Sequence, residues 1–270
     1  MNIKTYLWNI TMRFTGLLAF LVLGFGSTLF AQQWGDLSGT FVVGGANPAA
    51  VAAVVNKDVA YCGKYKLIDE SLVVNPSNGG IRDVVVYIYV SRTGKKPAVH
   101  PDYEKTAKAE VFLDNKECRF EPHVLTLRTS QTLLVGNSDP IGHNTNVTTL
   151  SNPAQNVLVP SGGKLKLNFS SEERLPVGIA CNIHPWMNAI MVVKDDPYVG
   201  ISDADGNFTI KNLPVGKWTF QVWHKVPGYL SSVSVNNKAT EWARGRVDVE
   251  IKPGMNQLGT IKVAPTVFKQ

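Results

Sequence analysis

The stretch "ACNIHPWMNAIMVV", residues 180–193, sets Cys181, His184 and Met187 at three-residue spacing directly ahead of an apolar run. "AIMVV" (189–193) is β-branched and short, so it reads as a strand, and the sulfur and imidazole groups sit in the loop that enters it. Pro185 follows His184, fixes its own φ and withdraws a backbone donor, which stiffens that loop. The remaining question is whether the rest of the chain is β as well.

From Gln32 onward the apolar period is two. "KLKLNF" places Leu165, Leu167 and Phe169 on one face against Lys164, Lys166 and Asn168; "RVDVEIK" and "KWTFQVW" alternate in the same way. "VVVYIYV" (84–90) and "TLLVGN" (132–137) are further strands bounded by turn residues. Helix is expected only in two short pieces, "NPAAVAAVV" (47–55) and "PDYEKTAKAE" (101–110). The fold class is therefore all-β, with strand spacing that suits sandwiches.

Four segments are expected. Residues 1–31 carry Lys4 and Arg13, no acidic group, an apolar stretch and a small residue at Ala31, the pattern of a secretory signal peptide; an uncleaved anchor is the other reading. Residues 32–107 hold two good strands, too few to stand alone, and are expected to complete a sandwich with 197–270; a serial arrangement is the alternative. Residues 108–196 contain the Cys/His/Met loop. An export signal implies a periplasmic, secreted or cell-envelope location.

Composition excludes several classes. Apolar residues make up 44% and charged residues 18%, enough for a core and too few charges for a solvated tail. Without residues 1–31 there are 25 Lys and Arg against 21 Asp and Glu, and no basic block or aromatic-basic repeat, so no nucleic-acid surface is expected. Envelope association remains open. No phosphate loop or serine elbow is present, and no substrate is expected. Of three cysteines, Cys62 and Cys118 lie in turn-like surroundings without neighbouring ligands, and a disulfide between them is the plain reading. Cys181 is then the odd thiol, beside a histidine and a methionine. "DADGNF" (203–208) lacks the full ligand series of a calcium loop and reads as a tight turn.

A thiolate, two imidazoles and a weak thioether suit copper that changes oxidation state. Cys181, His184 and Met187 supply three of these donors. His143, in "NSDPIGHNTN" after the strand "QTLLVGN", supplies the other. At these residues the chain resembles the cupredoxins, the type 1 blue-copper proteins: Gly-Asn-Ser-Asp (136–139) and Gly-His-Asn (142–144) upstream, then Cys-x-x-His-Pro-Trp-Met (181–187). The short loop with Pro after His is most similar to amicyanin, while the segments around it, including "YCGKYKLIDESLVV", have no counterpart there and resemble longer exported proteins of the methylamine-utilisation type. The resemblance covers about residues 108–195. It implies a Greek-key sandwich, one type 1 copper on His143, Cys181, His184 and Met187, and Asn144 tying the two ligand loops by hydrogen bonds. "NLPVGKWTFQV" resembles carboxypeptidase-regulatory or transthyretin-like β-sandwich modules, whose usual role is structural or binding.

The resemblance further implies a one-electron carrier rather than an enzyme. His184 would present an exposed edge, with Pro140, Ile141, Pro185 and Trp186 as an apolar patch for an unidentified redox partner protein. Copper storage or delivery, and a structural or binding role in the envelope, are the competing readings.

Overall fold

The computed structural model describes residues 32–268, and the expected signal segment lies outside them. Among the described residues the strands form four sheets. The first runs in the order Asn207–Pro214, Trp34–Val43, Gly254–Val263, Ser232–Val235, Lys238–Glu241. The second orders Val199–Ile201, Val85–Ile88, Gly216–His224 and Gly228–Tyr229, with Arg246–Ile251 also paired to Gly216–His224. These strands come from both ends of the described chain. The third sheet is Val124–Arg128, Asn188–Lys194, Val177–Ala180, His143–Thr148, Gln155–Val159; the fourth is Arg119–Glu121, Glu110–Lys116, Thr132–Asn137, Lys164–Asn168. The architecture is all-β, a two-sheet sandwich with a further β-rich part.

Three apolar clusters glue the sheets in a stack. Phe41, Ile210, Val86, Ile88 and Phe220 fill the space between the first and second sheets. Leu133, Val135, Leu167, Ile179 and Met191 fill the space between the third and fourth. Between these lies a smaller cluster of Val85, Tyr87, Val124, Ile190 and Val192, which joins the second sheet to the third. This explains why "VVVYIYV" and "AIMVV" are continuously apolar while "KLKLN" alternates. Val84, Val86 and Ile88 face one cluster and Val85 and Tyr87 the other. Likewise Ala189, Met191 and Val193 face one core, and Ile190 and Val192 the next. Each fully buried Val or Ile contributes ~1.5–3 kcal/mol, so a strand apolar on both faces belongs in the middle of the stack. Lys164–Asn168 has one face in water and keeps its lysines there.

The two helical expectations need correction. Residues 47–55 form no helix: Ala52 makes an isolated bridge to Ile68, and the valines lie along an extended strap. Three valines lower helix propensity in so short a piece. Residues 101–106 form a 3-10 turn rather than an α-helix, with His100 Nδ1 accepting from the Asp102 amide at 3.1 Å. The single short α-turn among the described residues is Val59–Cys62, inside the strap.

Candidate metal centre

Strand pairing assembles the site. Val177–Ala180 runs antiparallel to His143–Thr148, with Ala180 opposite Asn146, so the chain leaving Ala180 passes the end of the strand where His143 and Asn144 stand. On its other side Ala180 pairs with Asn188, and the intervening hairpin loop is residues 181–187. The loop is closed on itself: the Cys181 amide donates to the Met187 carbonyl at 3.1 Å, and the Met187 amide to the His184 carbonyl at 2.9 Å. Asn144 Oδ1 accepts the Asn182 amide at 2.7 Å, the Ile183 amide at 3.3 Å and the Cys181 thiol at 3.4 Å. That one side chain locks the two ligand-bearing segments together.

His143, Cys181 and His184 are all buried, and one ligand atom from each lies within 4.8 Å of the others. The His184 Nδ1 is 3.7 Å from the Cys181 sulfur, and the two imidazole centroids are 4.6 Å apart. Each ring's far nitrogen meets a carboxylate: His143 Nε2 is 2.9 Å from Asp139 Oδ2, and His184 Nε2 is 2.8 Å from Asp58 Oδ2. A carboxylate only accepts, so Nε2 carries the proton in both rings and each Nδ1 is left with its lone pair, that of His184 beside the sulfur. His143 Nδ1 is buried with no hydrogen-bond partner.

Asp139 is a hub. Its Oδ1 accepts from the Glu117 amide at 2.6 Å and the Tyr61 hydroxyl at 2.9 Å, and its Oδ2 from the Cys118 amide at 2.8 Å. Glu117 and Cys118 both have positive φ, 54° and 58°, which turns their successive amides toward one carboxylate. Burial pushes Asp139 up, but His143 and these donors outweigh it and hold the carboxyl below its usual range. Burial pushes the His143 imidazolium down, but Asp139 and the neighbouring thiol leave it raised. Burial also pushes the Cys181 thiol up; His143, Asn144 and His184 outweigh that and bring it to about 6. His143 thus acts on the thiol's charge although no acceptor or donor meets its Nδ1 in hydrogen-bond geometry. A thiolate beside two imidazole lone pairs, one of them orphaned in a dry pocket, is a donor set that fits a soft or borderline metal ion. Leaving such a nitrogen unmet costs about 1–3 kcal/mol.

The other expected residues fall around this cluster. Met187 is buried at the end of the loop, in the same apolar cluster as Cys181 and Trp186. Trp186 packs edge-on to His184, centroids 5.2 Å apart, and donates to the Cys118 carbonyl at 3.0 Å. Pro140 and Pro185 are exposed, whereas Ile141 and Trp186 are half-buried against the core. Cys62 and Cys118 are joined, with Cα atoms 5.5 Å apart, and Cys181 is free.

The exposed edge expected of His184 is absent: the residue is 0% exposed. The strap covers it, placing Asp58 on its outer nitrogen and Tyr61 on Asp139, with the disulfide clamping the strap to Cys118. Asp58, Tyr61 and Asp139 were not singled out from sequence. Their signals were Asp139 standing four residues before His143, and Asp58 and Tyr61 standing next to a cysteine expected to reach Cys118. Outside the centre, His123 is held by Asp83 at 2.8 Å and Asn188 at 3.2 Å, a structural arrangement. "DADGNF" is a turn, in which Asp203 Oδ1 accepts the amides of Asp205 and Asn207 at 2.9 and 2.8 Å.

No protein-family model and no curated protein matches the chain. Among solved structures it is similar to a Cu-containing nitrite reductase from Thermus scotoductus: 19% identity over 40% of this chain and 25% of that one, TM-score 0.28. It is also similar to a purple cupredoxin from Nitrosopumilus maritimus (18% identity, 32% of this chain, 100% of that one, TM-score 0.27). A reduced single-residue variant of amicyanin gives 17% identity over 40% of this chain and 98% of that one, TM-score 0.29. The chain thus spans a quarter of the length of the nitrite reductase. Overlaps of this size decide nothing about chemistry, which stands on the side chains.

Proposed function

We propose that this chain is a cupredoxin-type copper protein of the cell envelope that carries single electrons between partner proteins and is not itself an enzyme. The observation that carries the reading is the buried His143, Cys181 and His184 cluster, with His143 Nδ1 left without a partner and His184 Nδ1 at the sulfur. Copper bound there would supply the Cu(II)/Cu(I) couple. Cys181 contributes a thiolate made accessible near neutral pH by its surroundings. His143 and His184 contribute imidazole nitrogens whose direction is set by Asp139 and Asp58. Met187, fixed to the loop by its own amide, is the candidate for the weak fourth donor. Asn144 holds the ligand segments in register, and the surrounding apolar side chains exclude water. A rigid donor set suits electron transfer because little has to move when charge changes. The part built from the first and second sheets is read as a binding or structural module.

The test is the visible and EPR spectrum of the mature protein with one equivalent of Cu(II), beside Cys181→Ala. A strong thiolate-to-copper band with narrow parallel hyperfine splitting, lost in the variant, is expected. A colourless protein that takes up no copper would overturn the reading.

A further inference from the structure

Electron exchange needs a contact between the buried site and the surface, and the imidazole edge first expected to provide it is covered. His184 is 0% exposed and His143 likewise, so neither ring reaches solvent. The carboxylate on His143 is equally enclosed: Asp139 is 1% exposed and occupied by four donors. The carboxylate on His184 differs. Asp58 has a side chain 39% exposed while its Oδ2 stays 2.8 Å from His184 Nε2. Among the described residues it is the one exposed group hydrogen-bonded to either imidazole.

The backbone around Asp58 is built to hold that pose. Asp58 sits in the left-handed region, φ 47° and ψ 38°, a conformation that Asp and Asn tolerate better than most residues. Its carbonyl accepts the amides of Tyr61 and Cys62, both at 2.9 Å, so the turn that bears it is anchored one step from the disulfide. Tyr61 then bonds Asp139. The strap is therefore attached to the outer nitrogens of both histidines, directly through Asp58 and by way of Asp139.

We propose that Asp58 is the port of the site: it holds His184 with Nδ1 turned to the Cys181 sulfur, and electrons cross to the surface there rather than at the Pro140, Ile141, Pro185 and Trp186 face. Asp58 is a positioning residue, acting through His184. The inference rests on the copper reading above and adds where exchange takes place. Exchange with an external complex is a bare one-electron step: the reduced protein is oxidised, hexacyanoferrate(III) leaves as hexacyanoferrate(II), and no proton or ligand is transferred.

The position of the port is read by charge. Reduced, copper-loaded protein is oxidised by hexacyanoferrate(III), a trianion, and separately by a tris-phenanthroline cobalt(III) cation, at low ionic strength. Removing one negative charge at the contact should speed the anion and slow the cation, each by roughly tenfold for a trivalent reagent at about 8 Å in water, with the effect shrinking as salt is added. Asp58→Asn makes that change while keeping an acceptor and a left-handed-tolerant residue. Pro140→Asp adds the same unit of charge on the loop face and should change the ratio of the two rates by much less than Asp58→Asn does. A second readout needs no metal: imidazole nitrogen chemical shifts of the copper-free protein should place the His184 proton on Nε2 in the parent and in Asp58→Asn, and lose that preference in Asp58→Ala. An unchanged rate ratio in Asp58→Asn, or a ratio that follows Pro140→Asp instead, overturns the port. A parent protein without the thiolate band fails at the copper reading, which separates the two failures. A His184 tautomer indifferent to Asp58→Ala overturns the positioning role by itself.

Discussion

Replacing Cys62 and Cys118 together by alanine should cost the protein about 4 kcal/mol and open the strap over the metal site. The two cysteines are 56 residues apart, and closing a loop of that size removes roughly 14 cal/mol/K of entropy from the unfolded chain, or about 4 kcal/mol at 25 °C. Both residues are buried, so the paired alanine change avoids an unpartnered thiol or a buried hydroxyl. Urea unfolding of the copper-free protein, followed by tryptophan fluorescence, should show the midpoint falling by roughly 1.5 M, with a slope no smaller than the parent's because the unlinked unfolded chain exposes more surface. The strap also holds Asp58 and Tyr61 against the histidine network, so its release should expose Cys181. Reaction of that single remaining thiol with a disulfide reagent in native buffer should accelerate at least tenfold, relative to its slow reaction in the parent. A midpoint shift below about 0.4 M, together with unchanged thiol reactivity, would refute the strap's role as a covalently fastened cover.

Two further perturbations test the surrounding physics. Asp196 is buried with its carboxyl raised to about 6, chiefly by desolvation and against the Tyr198 amide hydrogen bond. Because its folded pKa lies above the unfolded value, its contribution to stability is full below about pH 4 and is lost as pH rises through about 6. Asp196→Asn should therefore be more stable than the parent at pH 7 by up to ~3 kcal/mol and no more stable at pH 4, read by thermal unfolding across that window. Asn144→Ala deletes the acceptor shared by Cys181, Asn182 and Ile183 and leaves two amides in the loop unmet. It should destabilise by about 2–4 kcal/mol, and in the copper-loaded protein shift the thiolate band rather than abolish it; calorimetry and the visible spectrum check the two halves.

The chain's own order was enough for the β character, because side-chain alternation is a local consequence of the pleat and shows in "KLKLNF" or "RVDVEIK" without reference to anything distant. The 181–187 loop was legible for the same reason, since Cys181, His184 and Met187 are close in sequence and a hairpin keeps them close in space. Pairing Cys62 with Cys118 followed from elimination among three cysteines. What the alternation does not carry is which strand faces which. That "VVVYIYV" and "AIMVV" meet back to back through Tyr87, Ile190 and Val192 depends on the stacking of whole sheets. The strap differs from its local pattern for a related reason: "NPAAVAAVV" has helix-forming alanines, but its conformation is set by the bridge to Ile68 and by a disulfide to Cys118, 56 residues on from Cys62. The contact that matters most, Asp58 on His184, spans 126 residues. Hydrogen bonds act over about 3 Å and are blind to sequence distance, so only the folded chain decides that the second imidazole of this site is covered and which carboxylate covers it.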